Sequence, residues 1–353
     1  MKTNPSSRPV AIWLLVGVFM IMVQVLLGGI TRLTGSGLSI TEWKPILGAL
    51  PPMNQHDWQI AFEKYKQIGQ YKFLNTSFTL ADFKSIYFWE WLHRNWARFM
   101  GLVFAVPFIV FILQKRFKKE MINSMVILFL LGALQGLIGW IMVASGLNEE
   151  NIYVNHIRLA IHFISALGLL CYTFWFALQL LVPTEQVSVQ PSLHKFTWQI
   201  VALLILQLIY GAFMAGHKAA TVAPTWPDIN GYVFPPHLFK EVPWLSNFTE
   251  NKLMVQFIHR TMAYLLFGLT LVWTWRAYRY RTFSFFNKTK WLPLTLVLLQ
   301  VTLGILTVIN STKTIPQHWG IFEWYAQLHQ LIAMFLLLSF VWVLYLIRGR
   351  KTA

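Results

Sequence analysis

The sequence predicts an all-α integral membrane protein: eight transmembrane helices arranged as two tandem four-helix bundles related by a pseudo-two-fold repeat. Three observations carry that expectation. Eight apolar stretches have spanning length, basic residues gather in alternate connections, and one pair of residues recurs in every odd-numbered stretch. A helix needs about 20 mostly apolar residues to cross a ~30 Å hydrocarbon layer. Stretches 10–31, 91–113, 121–144, 157–181, 196–216, 253–275, 291–311 and 325–347 meet that requirement. Of 353 residues 56% are apolar and 12% charged, with a mean hydropathy of +0.52, so lipid rather than water is the main solvent.

Charge sets the orientation. The net charge of +16 and pI near 10.0 would suit nucleic acid only if the basic residues shared one polar face. They lie instead in short runs between apolar stretches: Lys115, Arg116, Lys118 and Lys119; Arg276, Arg279, Arg281, Lys288 and Lys290; Arg348, Arg350 and Lys351. Such runs mark cytoplasmic connections, which puts both termini in the cytoplasm and excludes nucleic acid as a partner. Met1 to Pro9 is too short and too poor in Arg for a transit peptide, and the next apolar run lacks a cleavage site, so it reads as a retained first span. Cys171, the single cysteine, lies within a span and leaves no intrachain disulfide or cysteine metal site.

Two long connections, 32–90 and 217–252, face outward. In the first, Trp58, Ala61, Phe62 and Tyr65 fall at helical spacing opposite Glu63, Lys64 and Lys66. Either a helix lying on the membrane surface or one packed on its own loop fits that pattern.

Every odd-numbered span carries Gln and, four residues on, Gly: Gln24 and Gly28, Gln135 and Gly139, Gln207 and Gly211, Gln300 and Gly304. Glycine admits close helix approach in lipid and Gln hydrogen-bonds across the contact, so the pair reads as packing. Even-numbered spans carry histidine: His93, His162, His259 and His329. The spacing divides the chain into a first half at 1–181, a cytoplasmic linker at 182–195 and a second half at 196–353.

Each histidine lies in the first turns of a helix entered from outside, which gives all four one depth near the outer face. A single histidine there would as readily be hydrogen-bonded to a neighbouring helix. Four at repeated spacing point to ligands, because ionisable groups within spans mark functional sites. Paired imidazoles in an apolar, aromatic bundle without cysteines or carboxylate clusters suit haem iron better than zinc, one haem per half. Arg94, Arg98, Arg158 and Arg260 stand near the outer interface, suited to haem propionates or to snorkelling toward headgroups. Glu90 precedes His93 by three residues, whereas Gln256 holds the matching place before His259. Only the first half has an acid beside its ligand, which suggests a reacting haem there and a permanent one in the second half. A carboxylate stabilised by the helix dipole is the competing reading.

The stretch Gly28-Gly-Ile-Thr-Arg-Leu-Thr-Gly-Ser-Gly-Leu-Ser-Ile-Thr-Glu-Trp-Lys-Pro-Ile-Leu-Gly-Ala-Leu-Pro-Pro52 resembles the signature after the first span of the haem A synthases, a family with bacterial and mitochondrial members. Glu90-Trp-Leu-His93-Arg94, Arg158-Leu-Ala-Ile-His162, His259-Arg260 and Gln327-Leu-His329 are similar to that family's histidine-bearing segments, in order. The resemblance implies haem b held by His259 and His329, a haem o substrate site flanked by His93 and His162, and Glu90 as the acid for conversion of the C8 methyl of haem o to the formyl of haem a. It implies a bacterial inner-membrane location, haem o synthase as a partner and an electron acceptor the sequence does not identify. The chain is similar to the group without paired loop cysteines. It departs from the family at Trp226-Pro-Asp-Ile-Asn-Gly231, where members read close to Pro-Leu-Met-(Asn/Asp)-Gly. Small-residue helix faces permit a homo-oligomer. The alternative function, a dihaem b-type electron-transfer subunit without chemistry of its own, needs haems at different depths, which the equal histidine depth opposes. A transporter needs broken spans, and no span is broken midway by paired Gly and Pro.

Overall fold

The computed structural model describes residues 8–44, 47–117, 119–280, 284–314 and 319–348. Lys118, Arg281, Arg350 and Lys351 of the basic runs lie outside the described residues, as do Pro45 and Ile46 of the long signature stretch. The helices are α1 (Arg8–Leu33), α2 (Gln55–Tyr65), α3 (Gly69–Phe73), α4 (Leu80–Leu113), α5 (Lys119–Ala144), α6 (His156–Leu181), α7 (Pro191–His217), α8 (Lys252–Tyr278), α9 (Ser284–Thr289), α10 (Leu292–Ile309) and α11 (Ile321–Leu346). Among the described residues eight helices are long and apolar enough to cross a membrane: α1, α4, α5, α6, α7, α8, α10 together with most of α9, and α11. The chain is a multi-pass membrane protein. It packs as two compact units, Val16–Leu169 and a second that joins the chain up to Leu15 with the chain from Leu170 onward. Their boundaries fall inside α1 and α6, whereas the sequence reading places the division in the 182–195 connection.

In the Val16–Leu169 unit, α4 has 34 residues and is roughly 50 Å long, well beyond what the hydrocarbon needs. Hydropathy places its start near residue 91, yet it begins at Leu80. A capping box starts it there: Thr79 Oγ1 accepts the Asp82 N–H at 3.3 Å, and the Asp82 carboxylate accepts the Thr79 N–H at 2.8 Å. The additional turns bury Phe83 and Ile86 against α2 rather than lipid, which is why a hydropathy window misses them.

The α2 helix, capped by the Asn54 side chain on the Asp57 N–H, settles the choice left open for its apolar face. Phe62 stacks on Phe83 at 5.1 Å, Tyr65 meets the same ring at 5.2 Å, and Trp58 meets Tyr87 at 5.0 Å. The helix packs on its own loop and on α4. Tyr65 is fully buried, donates to Gln70 Oε1 at 3.0 Å and accepts from Asn75 at 2.7 Å; burial pushes its phenol up to about 12. The Gly69 N–H donates to the Asn148 carbonyl at 2.7 Å, and Lys72 pairs with Glu149 at 2.8 Å. These contacts tie the first outer connection to the next one.

In the second unit α7 packs on α8, α8 on α10, α10 on α11 and α11 on α7, a closed ring of four helices. Trp273 is fully buried there and donates to Thr197 Oγ1 at 2.8 Å. Pro191 starts α7 five residues ahead of the hydropathy estimate, at a first-turn site where its missing N–H is no loss. The Glu323 carboxylate accepts the Gly320 N–H at 2.9 Å and starts α11 early in the same way. Asn251 caps α8 through the Leu253 and Met254 N–H groups, while its amide donates to the carbonyls of His237 and Leu238. Within Trp226–Gly231, Asn230 and Gly231 adopt positive φ and close a tight turn on which Ile229 and Tyr232 exchange backbone hydrogen bonds.

Phe83 is the ring that Trp58, Phe62, Tyr65 and Tyr87 all touch. Replacing it by Ala should destabilise the outer cap by about 3–5 kcal/mol. Limited proteolysis should then cleave the 50–80 region faster, with the spanning helices left intact.

Candidate functional site

Each histidine-bearing helix meets a glycine of the spanning helix before it. A Cβ added at Gly139 would lie 2.8 Å from Cε1 of His162, and one at Gly304 2.9 Å from Cε1 of His329. At Gly28 and Gly211 the nearest atoms are His93 Nε2 and His259 Cε1, each at 3.4 Å. The partner of each glycine is therefore an imidazole ring. This refines the sequence reading, in which the Gln–Gly pair served helix-to-helix packing.

The glutamine one turn away completes the contact. Gln24 Nε2 donates to the His93 carbonyl at 3.2 Å; Gln135 Nε2 donates to the His162 carbonyl at 2.8 Å and lies 3.1 Å from its Nδ1. Gln207 Nε2 reaches His259 Nδ1 at 3.2 Å, and Gln300 Nε2 reaches His329 Nε2 at 3.2 Å. His329 Nδ1 in turn sits 3.0 Å from the Gln300 carbonyl. Four half-buried rings are thus each seated on a glycine, and those of His162, His259 and His329 are also met by the glutamine of the same neighbouring helix.

In the second unit the His259 and His329 ring centres are 6.4 Å apart with planes at 74°. With metal–nitrogen bonds of about 2.0–2.1 Å and about 1.1 Å from ring nitrogen to ring centre, two imidazoles trans on one metal put their centres about 6.2–6.4 Å apart. The residues present therefore fit an axially ligated haem iron. The Gln300 carbonyl accepts from His329 Nδ1, and the Gln300 amide meets the Nε2 lone pair at 3.2 Å, a hydrogen bond that ligation would replace. His93 and His162 belong to the other unit.

Glu90 is buried, and both its oxygens are engaged. Oε2 accepts from Ser39 Oγ at 2.7 Å and from the Ile40 N–H at 2.9 Å; Oε1 accepts from Arg94 at 2.6 Å. Arg94 also donates to the carbonyls of Ile40 and Glu42, and Arg98 to that of Lys44. Trp91 and Asn95 both donate to the Ala49 carbonyl at 2.9 Å. One face of α4 therefore holds Ser39, Ile40, Glu42, Lys44 and Ala49 of the connection, which leaves α1 through a turn that needs glycine: Gly35 has φ +68, and the Ser36 N–H returns to the Thr31 carbonyl.

The second unit repeats the clasp with reversed polarity. Gln256 donates to the Ala223 carbonyl at 2.9 Å, and Arg260 donates to the carbonyls of Ala223 and Asp228 at 2.9 and 2.8 Å. Arg158 donates to the Ile141 carbonyl at 3.0 Å. All four arginines singled out in the sequence thus hold backbone carbonyls. Lys44 and then Lys64 hydrogen-bond Glu42 and hold its carboxyl below the usual range, and the Gly231 N–H does most to lower that of Asp228.

Sequence reasoning missed the partners of Glu90 in the loop, Ser39 and Ile40, and the hydroxyl of Ser165, which lies 2.7 Å from Gln135 Oε1. A serine one turn past His162 in an otherwise apolar span was the available signal.

Seen against known proteins, these residues have a family. The model of the COX15-CtaA family, described as cytochrome oxidase assembly protein, matches residues 11–341. The chain belongs to that family. A heme A synthase of Nitrosomonas eutropha is 38% identical over 97% of this chain and 94% of its own length. Another from Flavobacterium psychrophilum is 39% identical over 98% and 99%, and one from Parvibaculum lavamentivorans 44% identical over 79% and 80%.

The glycine contacts of this COX15-CtaA member divide into two grades. Gly139→Ala and Gly304→Ala should displace their rings, and Gly304→Ala should weaken haem retention about 10–100-fold, the usual effect of disturbing a ligand's support. Gly28→Ala and Gly211→Ala, with 3.4 Å of room, should be tolerated. Haem content and visible spectra of the four purified variants would check the ranking.

Proposed function

We propose that the chain is a haem A synthase, which oxidises the C8 methyl of haem o through hydroxylated intermediates to the formyl group of haem a. Family membership and the names of its relatives support the reaction class. The observation that carries the site assignment is the 6.4 Å separation of the His259 and His329 rings, which suits a resident haem b. His93 and His162 then flank the substrate haem o. His259 and His329 would hold the resident group, which would supply one-electron redox chemistry when bound.

The chain's own residues bind, orient and manage charge. Imidazoles seated on glycine fix the plane in which each site accepts its porphyrin. Oxidising a methyl to a formyl group removes protons and electrons and adds oxygen. Glu90, three residues from His93, sets a carboxyl group beside that site for protons to leave through or for developing positive charge to meet. Ser39, the Ile40 N–H and Arg94 aim its oxygens. Arg94, Arg98, Arg158 and Arg260 use some of their N–H groups on loop carbonyls, and in this reading the others meet haem propionates at the outer face. The enzyme sits in a bacterial inner membrane with both termini cytoplasmic, receives substrate from haem o synthase, passes electrons to an acceptor still to be identified, and self-associates through its small-residue faces.

Co-expression with a haem o synthase, followed by pigment extraction, tests the reading. Haem a and its hydroxylated precursor should appear, and the absence of both would refute it in favour of a dihaem carrier that leaves its pigment unchanged. Glu90→Gln copies the residue found in the second unit; it should keep the low-spin haem b spectrum yet lower haem a yield about 100-fold or more. His259→Ala should abolish that spectrum.

A further inference from the structure

We propose that the second outer connection is a membrane-interface anchor: Phe234, Phe239 and Trp244 seat in the headgroup boundary of the outer leaflet, so that this loop lies on the bilayer instead of standing in water. This goes beyond the enzyme reading and stands on the membrane-spanning fold alone.

Exposure marks the face of α8 that meets lipid. Thr261, Tyr264, Leu265 and Trp275 are exposed, whereas Met262, Leu266, Trp273 and Ala277 are buried on the opposite side, the side of His259. Phe257 falls on the exposed row, one turn before Thr261. The ring of Phe234 meets that of Phe257 edge to face, centres 5.3 Å apart and planes at 78°. With 27 residues α8 is about 40 Å long against ~30 Å of hydrocarbon, so about 5 Å of it stands among headgroups at either end. Phe257 comes about 7–8 Å along the axis from Lys252, just past that boundary. Phe234 therefore extends the lipid-facing row of α8 at the depth where hydrocarbon gives way to headgroups.

From Phe234 the apolar surface runs on without a break. Tyr232, Phe234, Pro235, Pro236, Phe239 and Lys240 line one open groove. Phe239 stacks on Trp244 at 5.9 Å with planes at 7°, and Trp244 meets Phe248 at 5.1 Å. Phe234, Phe239 and Trp244 are 63%, 51% and 57% exposed, so each presents most of its ring outward. The loop beneath them is nonetheless pinned. Leu238 is buried, the Asn251 amide donates to the carbonyls of His237 and Leu238, and buried Asn247 accepts the Glu241 N–H and donates to the carbonyls of Glu241 and Trp244. A folded loop that holds three large aromatic rings outward has a surface built for contact. Aromatic rings with Lys240 at the rim, its ammonium 3.5 Å from Glu241, match the headgroup layer, where rings meet acyl chains and amines meet phosphate. The first outer connection does the reverse, turning Trp58, Phe62 and Tyr65 onto Phe83. Lipid is the occupant because the patch is continuous with a helix face that lipid already covers.

The test uses the full-length protein carrying Cys171→Ala, in vesicles of equal parts phosphatidylethanolamine and phosphatidylglycerol. A nitroxide is attached in turn at Phe234→Cys and Phe239→Cys, and at His56→Cys, an exposed position of the first outer connection, as the standard for water. Tyr232→Cys reads the same groove should either phenylalanine prove necessary for the loop to fold, which helical circular dichroism and elution volume would reveal. Power saturation of the spin label then compares collisions with oxygen, which concentrates in lipid, and with a water-soluble nickel chelate. The ratio of oxygen to nickel collisions at the groove positions should be severalfold higher than at His56→Cys, as for side chains seated at the headgroup boundary. A ratio equal to that of His56→Cys places the loop in water and overturns the proposal. Low collision with both reagents overturns it as well, because protein, a second copy or another chain, would then cover the patch. Neither result touches the enzyme reading, which haem a formation decides separately.

Discussion

Imidazole against glycine is the contact on which the rest of each bundle depends. A ring on one spanning helix can come this close to its neighbour where that neighbour has no Cβ, and at Gly139 and Gly304 a Cβ would come within 3 Å of the ring. A polar ring in an apolar bundle also needs a hydrogen-bond partner, and at His162, His259 and His329 the residue one turn away on the glycine helix gives it. The Gln–Gly spacing of four is therefore a single device, one residue supplying room and the other a donor. Hydrogen bonds between membrane helices average about 0.6 kcal/mol, so the device adds little stability. What it fixes is the direction of a ring.

The outer connections depend on the turn just before each histidine. On α4 the loop presents donors, the Ser39 hydroxyl and the Ile40 N–H, so a carboxylate meets them; on α8 the loop presents the Ala223 carbonyl, so an amide does. Arginine four residues on reinforces both clasps. Breaking a buried ion pair by removing one partner costs about 3–5 kcal/mol, so Glu90 has a structural reason to be acidic alongside any chemical one. The two roles are compatible. A carboxylate held by three donors is also one whose charge stays in a defined place.

Hydropathy made the spans legible, because lipid imposes length and composition on each helix separately. It misjudged the starts of α4, α7 and α11, where a capping carboxylate or a first-turn proline begins a helix before lipid does. Hydrophobic spacing in α2 showed a helix with one apolar face, but whether lipid or protein covers such a face depends on Phe83, about 20 residues away in sequence. Histidines and the Glu90/Gln256 difference were visible as rare polar residues at repeated positions. The Gln–Gly pairs were visible too, yet their partner was not, since a ring reaching across from the next helix leaves no mark in the helix that receives it. Ser39 and Ile40 were hidden for the same reason, being distant in sequence from the carboxylate they orient.

Once ring seat and outer clasp are common to both units, little is left to distinguish them. Glu90 against Gln256 reverses the polarity of the clasp, and Ser165, where the second unit has Ile332, gives the neighbouring glutamine carbonyl a hydroxyl. Both place different hydrogen-bonding groups within a turn of a histidine. A scaffold that seats its rings on glycine thus keeps the place of each ring while the polar groups around it differ. Ring position is set by backbone approach, most tightly at Gly139 and Gly304; the surrounding polarity is set by single side chains such as Glu90 and Gln256.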